Sequence, residues 1–394
     1  MSRDRLEFRQ ATSDDIPVMA ALWRTAFNPP SDFVDSLPDR LRVDRVLVAT
    51  DGDRISATAQ GFALQQWFGG RPVPTVGVAS VATNPLHRGT GVGTAVVVRL
   101  LERARDQGTP LTTLYPATVP VYRRLGYEYA GTFTRYRVPL TALPAGPTVE
   151  LAEAPEDGGT TRLSHERLAV RENGLTVGVD DDWWPTRVTH HWSRSPKGAV
   201  MTTEDVPDGY AAYSQKDLRD AWGYSIECSH LVAHTHEAGL ALLSYFRRFK
   251  GVGRDLEWHG PPVEPLALLL PEQTLEAAWT FRNMSRILDV PSALEARGYP
   301  EESGAATFSV EDELFEDNRG PWLLEAESGK VRVTRAPDGA PAQSIPVGGL
   351  SSMFTSFVTP SQAGRIGLVD PDHPALGLLG RLFAGPAPWT PDFF

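Results

Sequence analysis

The sequence predicts a mixed α/β (α+β) chain built from two or three units that each bury a core of their own. Three observations carry this reading. At 394 residues the chain is about 2.6 times the ~150-residue size around which single domains cluster. Strand and helix signals alternate through the first ~140 residues, with period-2 runs of small and β-branched residues between amphipathic stretches. A proline- and glycine-rich stretch, Pro139 to Gly159, then interrupts the pattern before it resumes.

Taken in order, Ser13-Asp14-Asp15 offers capping side chains to a helix running through Trp23, and Arg45 to Thr50 reads as a strand. The turn Asp51-Gly52-Asp53 joins it to a second strand, Arg54 to Gln66, as a hairpin. Pro74 to Thr83 is a third extended run. After Asn84-Pro85 and a glycine-rich turn comes a helix from about Gly91 to Gln107, ended by Gly108. Strand Leu111 to Tyr115, a short helix around Val119 to Leu125 and strands through Val138 complete the first unit, residues 1–140. A second unit, 145–271, holds a helix near Thr161 to Arg171, paired strands at Tyr210 to Lys216 and Tyr224 to Val232, and a helix from Glu237 to Phe249. The third, 272–394, has the helix Pro291 to Ala296, then strands Ala306 to Val310, Gly320 to Glu325 and Lys330 to Arg335.

Composition removes several function classes. With 38 basic and 49 acidic residues the net charge is −11, which argues against nucleic acid, whose phosphates need a basic surface, and fits a cationic partner. Cys228 is the single cysteine, so no intramolecular disulfide and no multi-cysteine metal site is possible, as a reducing cytoplasm permits. The opening MSRDRLEFRQ lacks the apolar core of a signal peptide, and no apolar run approaches the ~20 residues of a spanning helix, so a soluble cytoplasmic protein is expected, with no membrane partner.

The strongest chemical signal is Val81-Ala82-Thr83-Asn84-Pro85-Leu86-His87-Arg88-Gly89-Thr90-Gly91-Val92-Gly93-Thr94. A strand enters, a proline sets the exit, and a long helix starts at the last glycines. Several backbone N–H groups and the positive helix end therefore converge where an anion would sit, with Arg88 as a cation beside it. Glycine lets backbone approach phosphate oxygens without a Cβ in the way. The spacing Gly-x-Gly-x-Gly is not the dinucleotide fingerprint, and no Walker lysine follows.

Two motifs in order, Arg88-Gly-Thr-Gly91-Val-Gly93 and then Ala117-Thr-Val-Pro-Val-Tyr122-Arg-Arg-Leu-Gly126-Tyr127, make the first unit resemble the GNAT acetyltransferase superfamily. The resemblance implies acetyl-CoA as co-substrate: Val81, Ala82 and Thr83 along its arm, with the Val81 N–H polarising the thioester carbonyl; Arg88, Gly89, Thr90, Gly91, Val92, Gly93 and Thr94 at the diphosphate; Ala117 and Thr118 on the arm's other side. It also implies Tyr122 as the general acid that protonates the departing thiolate, with Tyr127 as the rival and a core-packed tyrosine as the structural alternative.

Over nearly all of its length the chain is similar to the enhanced intracellular survival family. There a degenerate second GNAT-like unit and a sterol-carrier-like third unit follow the catalytic one. That resemblance implies N-acetylation of amines of aminoglycosides by direct transfer in a ternary complex, a hexameric assembly, and a terminal carboxylate as base, here that of Phe394 in the aromatic ending Trp389-Thr-Pro-Asp-Phe-Phe394. Aromatic residues at a chain end favour docking over fraying. Trp23 and Phe27, at i and i+4 on the first helix, are expected on the acceptor cleft, although core packing explains the spacing equally well. Protein lysine acetylation and a non-catalytic module binding apolar ligands remain as alternatives. No metal is expected: His230, His234 and His236 alternate along a strand edge without a cysteine near, and His190-His191 reads as surface or packing. The Trp183-Trp184 pair could line an acceptor pocket or anchor a loop in the second core, and the anchor is the favoured reading.

Overall fold

The computed structural model describes residues 6–29, 34, 36–146, 150–155, 158–180, 183–184, 197–218, 222–337, 339–340 and 343–394. His190-His191 lies outside the described residues.

The first five strands are β1 (Leu6–Gln10), in which apolar and polar residues alternate, β2 (Val46–Asp51), β3 (Arg54–Phe68), β4 (Arg71–Thr83) and β5 (Leu111–Leu114), paired in sequence order. The first three pairings are antiparallel and β4–β5 is parallel. Period-2 alternation decides what covers each face. Val46 and Val48 of β2 pack under α1 (Ile16–Phe27), whereas Leu47 and Ala49 pack under the helix Val92–Asp106. With the short α2 (Leu37–Arg40) between them in sequence, that second long helix is α3, and the turn before the next strand forms α4 (Val119–Arg123).

The strand that follows, β6 (Glu128–Pro139), does not pair with β5. A strand from far along the chain, Glu276–Ile287, lies between them and is antiparallel to both, with Ser285 opposite Thr113 and Phe281 opposite Phe133. A boundary at residue 271 assigns this segment to the third unit; the ladder instead makes it a central strand of the first sheet. Each of its edges finds a row of N–H and C=O partners there, which an isolated edge would lack.

The other edge of β6 continues into the second unit. That unit contributes β7 (Leu151–Glu153), β8 (Thr176–Gly178), β9 (Lys197–Thr202), β10 (Gly209–Asp217), β11 (Tyr224–Ala233) and β12 (Gly253–Gly260), so Glu276–Ile287 is β13. The sheet reads β1-β2-β3-β4-β5-β13-β6-β12-β11-β10-β9-β7, and β8 pairs with β3 to make 13 strands. Helices α5 (Gly159–Ala169) and α6 (His236–Arg247) belong to this unit, and α6 packs on the core around Ile226, Leu256 and Trp258.

The third unit is a separate four-stranded sheet, β14 (Gly304–Glu311), β15 (Gly320–Glu327), β16 (Lys330–Arg335) and β17 (Ser344–Pro346), in the order β16-β15-β14-β17. Helices α7 (Val290–Ala296), α8 (Val347–Phe354), α9 (Pro360–Arg365) and α10 (Leu376–Leu382) complete it. Its core runs on into Phe68, Val73, Leu111 and Ile287 of the first sheet. Among the described residues no helix is long and apolar enough to cross a membrane.

Arg286 of β13 pins these parts together. Fully buried, it donates to Asp312 Oδ1 of the third unit at 2.6 Å, to the Leu125 carbonyl of the first at 2.5 Å and to the Ile287 carbonyl at 2.6 Å. Removing one member of a buried ion pair leaves the other charge unmet in a low dielectric and costs about 3–5 kcal/mol. Arg286→Ala is therefore expected to lower the unfolding free energy by about that amount; an unchanged urea midpoint would show that the pair holds nothing.

Candidate active site

The site begins as a defect in β4. Parallel pairing with β5 stops at Val78 opposite Leu114, so Ala79 to Thr83 run on without a β5 partner. Within that stretch the β3–β4 register shifts by one residue, and Ser80 takes a positive φ of 50°. The bulge is held by side chains: Thr58 Oγ1 donates to the Ser80 carbonyl at 2.8 Å, Ser80 Oγ donates to Gln60 Oε1 at 2.9 Å, and the Trp23 indole donates to Thr58 Oγ1 at 3.0 Å. An extra residue in one strand exchanges the faces of everything after it. Val76 and Val78 pack on the α3 side before the bulge, and Val81 packs there after it.

Beyond Thr83 the chain enters α3 through Gly89 and Gly91, at φ +79° and +88°. No side chain caps the start of α3, so its first-turn N–H groups face outward from the helix end. The helix sits so close to β4 that a Cβ on Gly93 would lie 2.4 Å from Thr83 Oγ1. Arg88, Gly89 and Thr90 are exposed beside this end, with Thr94 half-buried in the first turn. Ala117 and Thr118 are exposed on the loop that leads into α4. Uncapped N–H groups and an exposed cation are the donors a diphosphate needs, and the glycines leave room for it to approach.

The two tyrosines differ in what their hydroxyls do. Tyr127 is fully buried and its hydroxyl is 3.0 Å from Thr112 Oγ1, so it is spent inside the core. Tyr122, on α4, packs edge-on to Tyr127 at 5.8 Å and within the α3-side core, and burial raises its pKa.

On the opposite face the chain end docks. Trp389 donates its N–H to the Asn173 carbonyl, Thr132 donates to the Pro388 carbonyl, and Thr390 donates to the Thr132 carbonyl, all within 2.9–3.1 Å. Asp392 is buried: Thr176 Oγ1 donates to its Oδ2 at 2.7 Å, His230 Nε2 is 3.4 Å from its Oδ1, and Tyr115 donates to its carbonyl at 2.7 Å. Phe394 then lies over Gly77, where a Cβ would meet its ring at 2.7 Å; only glycine leaves room there. Gly77 and Val78 are consecutive, so they point to opposite faces. Phe394 is thus on one side of the sheet next to the splay, and Tyr122 is on the other.

Several residues sit where local pattern did not put them. Trp23, expected on an acceptor cleft, is a core residue of the α1 side that braces the bulge, while Phe27 is half-exposed on the last turn of α1. Trp183 does not anchor the second core: its ring lies 5.6 Å from Phe62 and 6.2 Å from Phe394. Trp184 does, donating to Thr161 Oγ1. The three alternating histidines go separate ways, His230 to Asp392, His234 to Ser164 and His236 into the start of α6. His259 was missed altogether. It stacks on Phe133 at 4.0 Å with both ring nitrogens buried and without a hydrogen-bond partner among the described residues.

A family profile described as "Acetyltransferase (GNAT) domain" matches residues 7–130, a second with the same description matches 177–287, and "Sterol carrier protein domain" matches 290–391. N-acetyltransferase Eis of Mycobacterium tuberculosis is 30% identical over 353 residues, covering 82% of this chain and 83% of its own. An uncharacterized N-acetyltransferase of Streptomyces griseus is 25% identical over 94% of both chains. Among solved structures, a GCN5-related N-acetyltransferase from Anabaena variabilis superposes with a TM-score of 0.92 at 25% identity, covering 99% of this chain and 100% of that one. Eis1 from Mycobacterium abscessus shares the fold with a TM-score of 0.79 at 23% identity, covering 99% and 100%.

Burial, the largest cause for both, pushes His165 and His259 down to about 3. An unfolded histidine titrates near ~6.5. Between those values the unfolded chain binds more protons, so stability is complete above pH ~6.5 and is lost on acidification, at about 1.4 kcal/mol per pH unit for each histidine. Urea midpoints taken from pH 7.5 to pH 5 are expected to fall; a level profile across that window would contradict neutral burial.

Proposed function

The chain belongs to the Eis family of GNAT N-acetyltransferases, and on that premise we propose that it carries an acetyl group from acetyl-CoA directly to a primary amine of a small molecule in a ternary complex. The observation that carries the reading is the docked chain end, buried as far as Asp392, which brings Phe394 over Gly77, one residue before the last β4–β5 pair.

An ammonium is not a nucleophile, so one proton must leave before attack, and a carboxylate at hydrogen-bond reach can take it. In this proposal the Phe394 carboxylate accepts that proton on one face of the sheet. Tyr122 donates on the other face, where its raised pKa keeps the phenol protonated at neutral pH, ready for a departing thiolate. The Val81 N–H stabilises charge building on the thioester oxygen, and β4 at Ala82 and Thr83, paired with β3 but not with β5, borders the pantetheine arm. Arg88 and the uncapped N-terminus of α3 answer the diphosphate, with Ala117 and Thr118 across from the arm. Cys228 supports direct transfer over an acyl-enzyme: it is buried in the second unit and burial pushes its thiol up, away from thiolate character.

For the acceptor, the charge distribution favours a cation. Residues 1–140 carry 17 basic and 13 acidic side chains, or +4, which leaves −15 on residues 141–394. Polycations such as aminoglycosides are the first acceptors this suggests, and the cytoplasm, with its acetyl-CoA supply, is the proposed compartment. A hexamer is the proposed assembly, read by sedimentation velocity.

Deleting Phe394 and substituting Tyr122→Phe are each expected to lower kcat on the order of 100-fold or more, with acetyl-CoA affinity by titration calorimetry nearly intact. Unchanged thiol release in either variant would sink that residue's role. Raising ionic strength screens the field of the acidic units and is expected to raise the acceptor's KM; a KM independent of salt removes the charge argument.

A further inference from the structure

We propose that the acceptor side of the site carries an aromatic wall that selects amines bearing a flat apolar group, with arylalkylamines as the substrate class. It rests on the transferase reading above and departs from the polycationic acceptor that charge alone suggests there.

The wall assembles from three distant parts of the sequence. Tyr115 follows β5, Phe281 and Trp279 stand on β13, and Phe393 comes from the chain end. Tyr115 and Phe281 are stacked with centroids 5.7 Å apart and planes 11° off parallel, and Phe281 and Trp279 are stacked at 5.5 Å and 20°. Phe393 lies 4.6 Å from Tyr115, and Phe394 lies 5.6 Å from the same ring. Trp279 is 46% and Phe393 50% exposed, so a contiguous apolar surface stands open beside the proposed base. Covering it is favourable for an apolar ligand, and a densely hydroxylated one cannot collect that gain.

Electrostatics point the same way. Phe281 is stacked between Tyr115 and Trp279, so its faces are covered and its edge, the electropositive part of the quadrupole, attracts an ammonium less than an open ring face does. The carboxylates on the same sheet face are engaged: Glu227 with Arg135 at 2.9 Å and Lys216 at 3.2 Å, Glu257 with Arg137 at 2.9 Å. Asp392 is turned inward to Thr176. One ammonium finds the Phe394 carboxylate; further ammonium groups find carboxylates already paired. A single amine on an aryl-bearing chain satisfies the wall, the base and the acidic surroundings together.

Titration calorimetry on the full chain with phenethylamine, n-butylamine, spermidine and kanamycin tests this, followed by thiol release from acetyl-CoA with each. Phenethylamine is expected to bind at least tenfold more tightly than butylamine. Trp279→Ala and Phe281→Ala are expected to weaken phenethylamine at least fivefold without moving spermidine, and Trp279→Tyr, which keeps a ring at this half-exposed position, to restore most of the loss. Phenethylamine binding no tighter than butylamine, or unmoved by both alanine variants, overturns the wall. If phenethylamine binds as expected but no amine releases thiol, the binding site stands and the transferase reading falls.

Discussion

Everything in this molecule depends on β13 being hydrogen-bonded between β5 and β6. A sheet cannot leave two strand edges facing each other across an unfilled gap, and the strand that fills this one arrives more than 130 residues after β6 ends. That one insertion fuses the first two units into a continuous sheet. It also brings Arg286 to Leu125 and Asp312, and carries Phe281 and Trp279 alongside Tyr115. The first unit is therefore not separable at residue 140, however complete its motif appears.

The second unit has no glycine turn, yet it is not idle. Asn173 and Thr176 hold the chain end by backbone and side-chain bonds, and His230 faces Asp392. Tyr210 extends this network, 3.0 Å from His230 Nδ1. Buried polar groups that are satisfied stiffen what they hold, and here they hold the segment that ends in Phe394. The unit that lacks the donor-binding loop thus serves as the clamp for the proposed base.

The β4 bulge divides the proposed chemistry between two faces. Without the extra residue at Ser80, Val81 would turn away from the α3 side. With it, the glycine turn and Tyr122 lie on one face and Phe394 on the other, which keeps the proposed acid and the proposed base apart. Trp23 contributes from a distance, since its indole orients Thr58, which in turn holds the Ser80 carbonyl.

The glycine turn, its flanking strand and helix, the Tyr122 element, the uneven charge and the aromatic ending were all legible in the sequence. Each is encoded by residues within a few turns of one another, where capping, backbone conformation and period operate. What the tertiary structure alone decided involves partners far apart: β13 beside β5, Tyr115 donating to Asp392 across 277 residues, Trp183 against Phe394, and Trp23 bonded to Thr58 under the bulge. The physical reason is that a strand's sequence specifies which of its faces is apolar but not which edge it will meet. Edge pairing is set by what remains unsatisfied once every other strand has found its place.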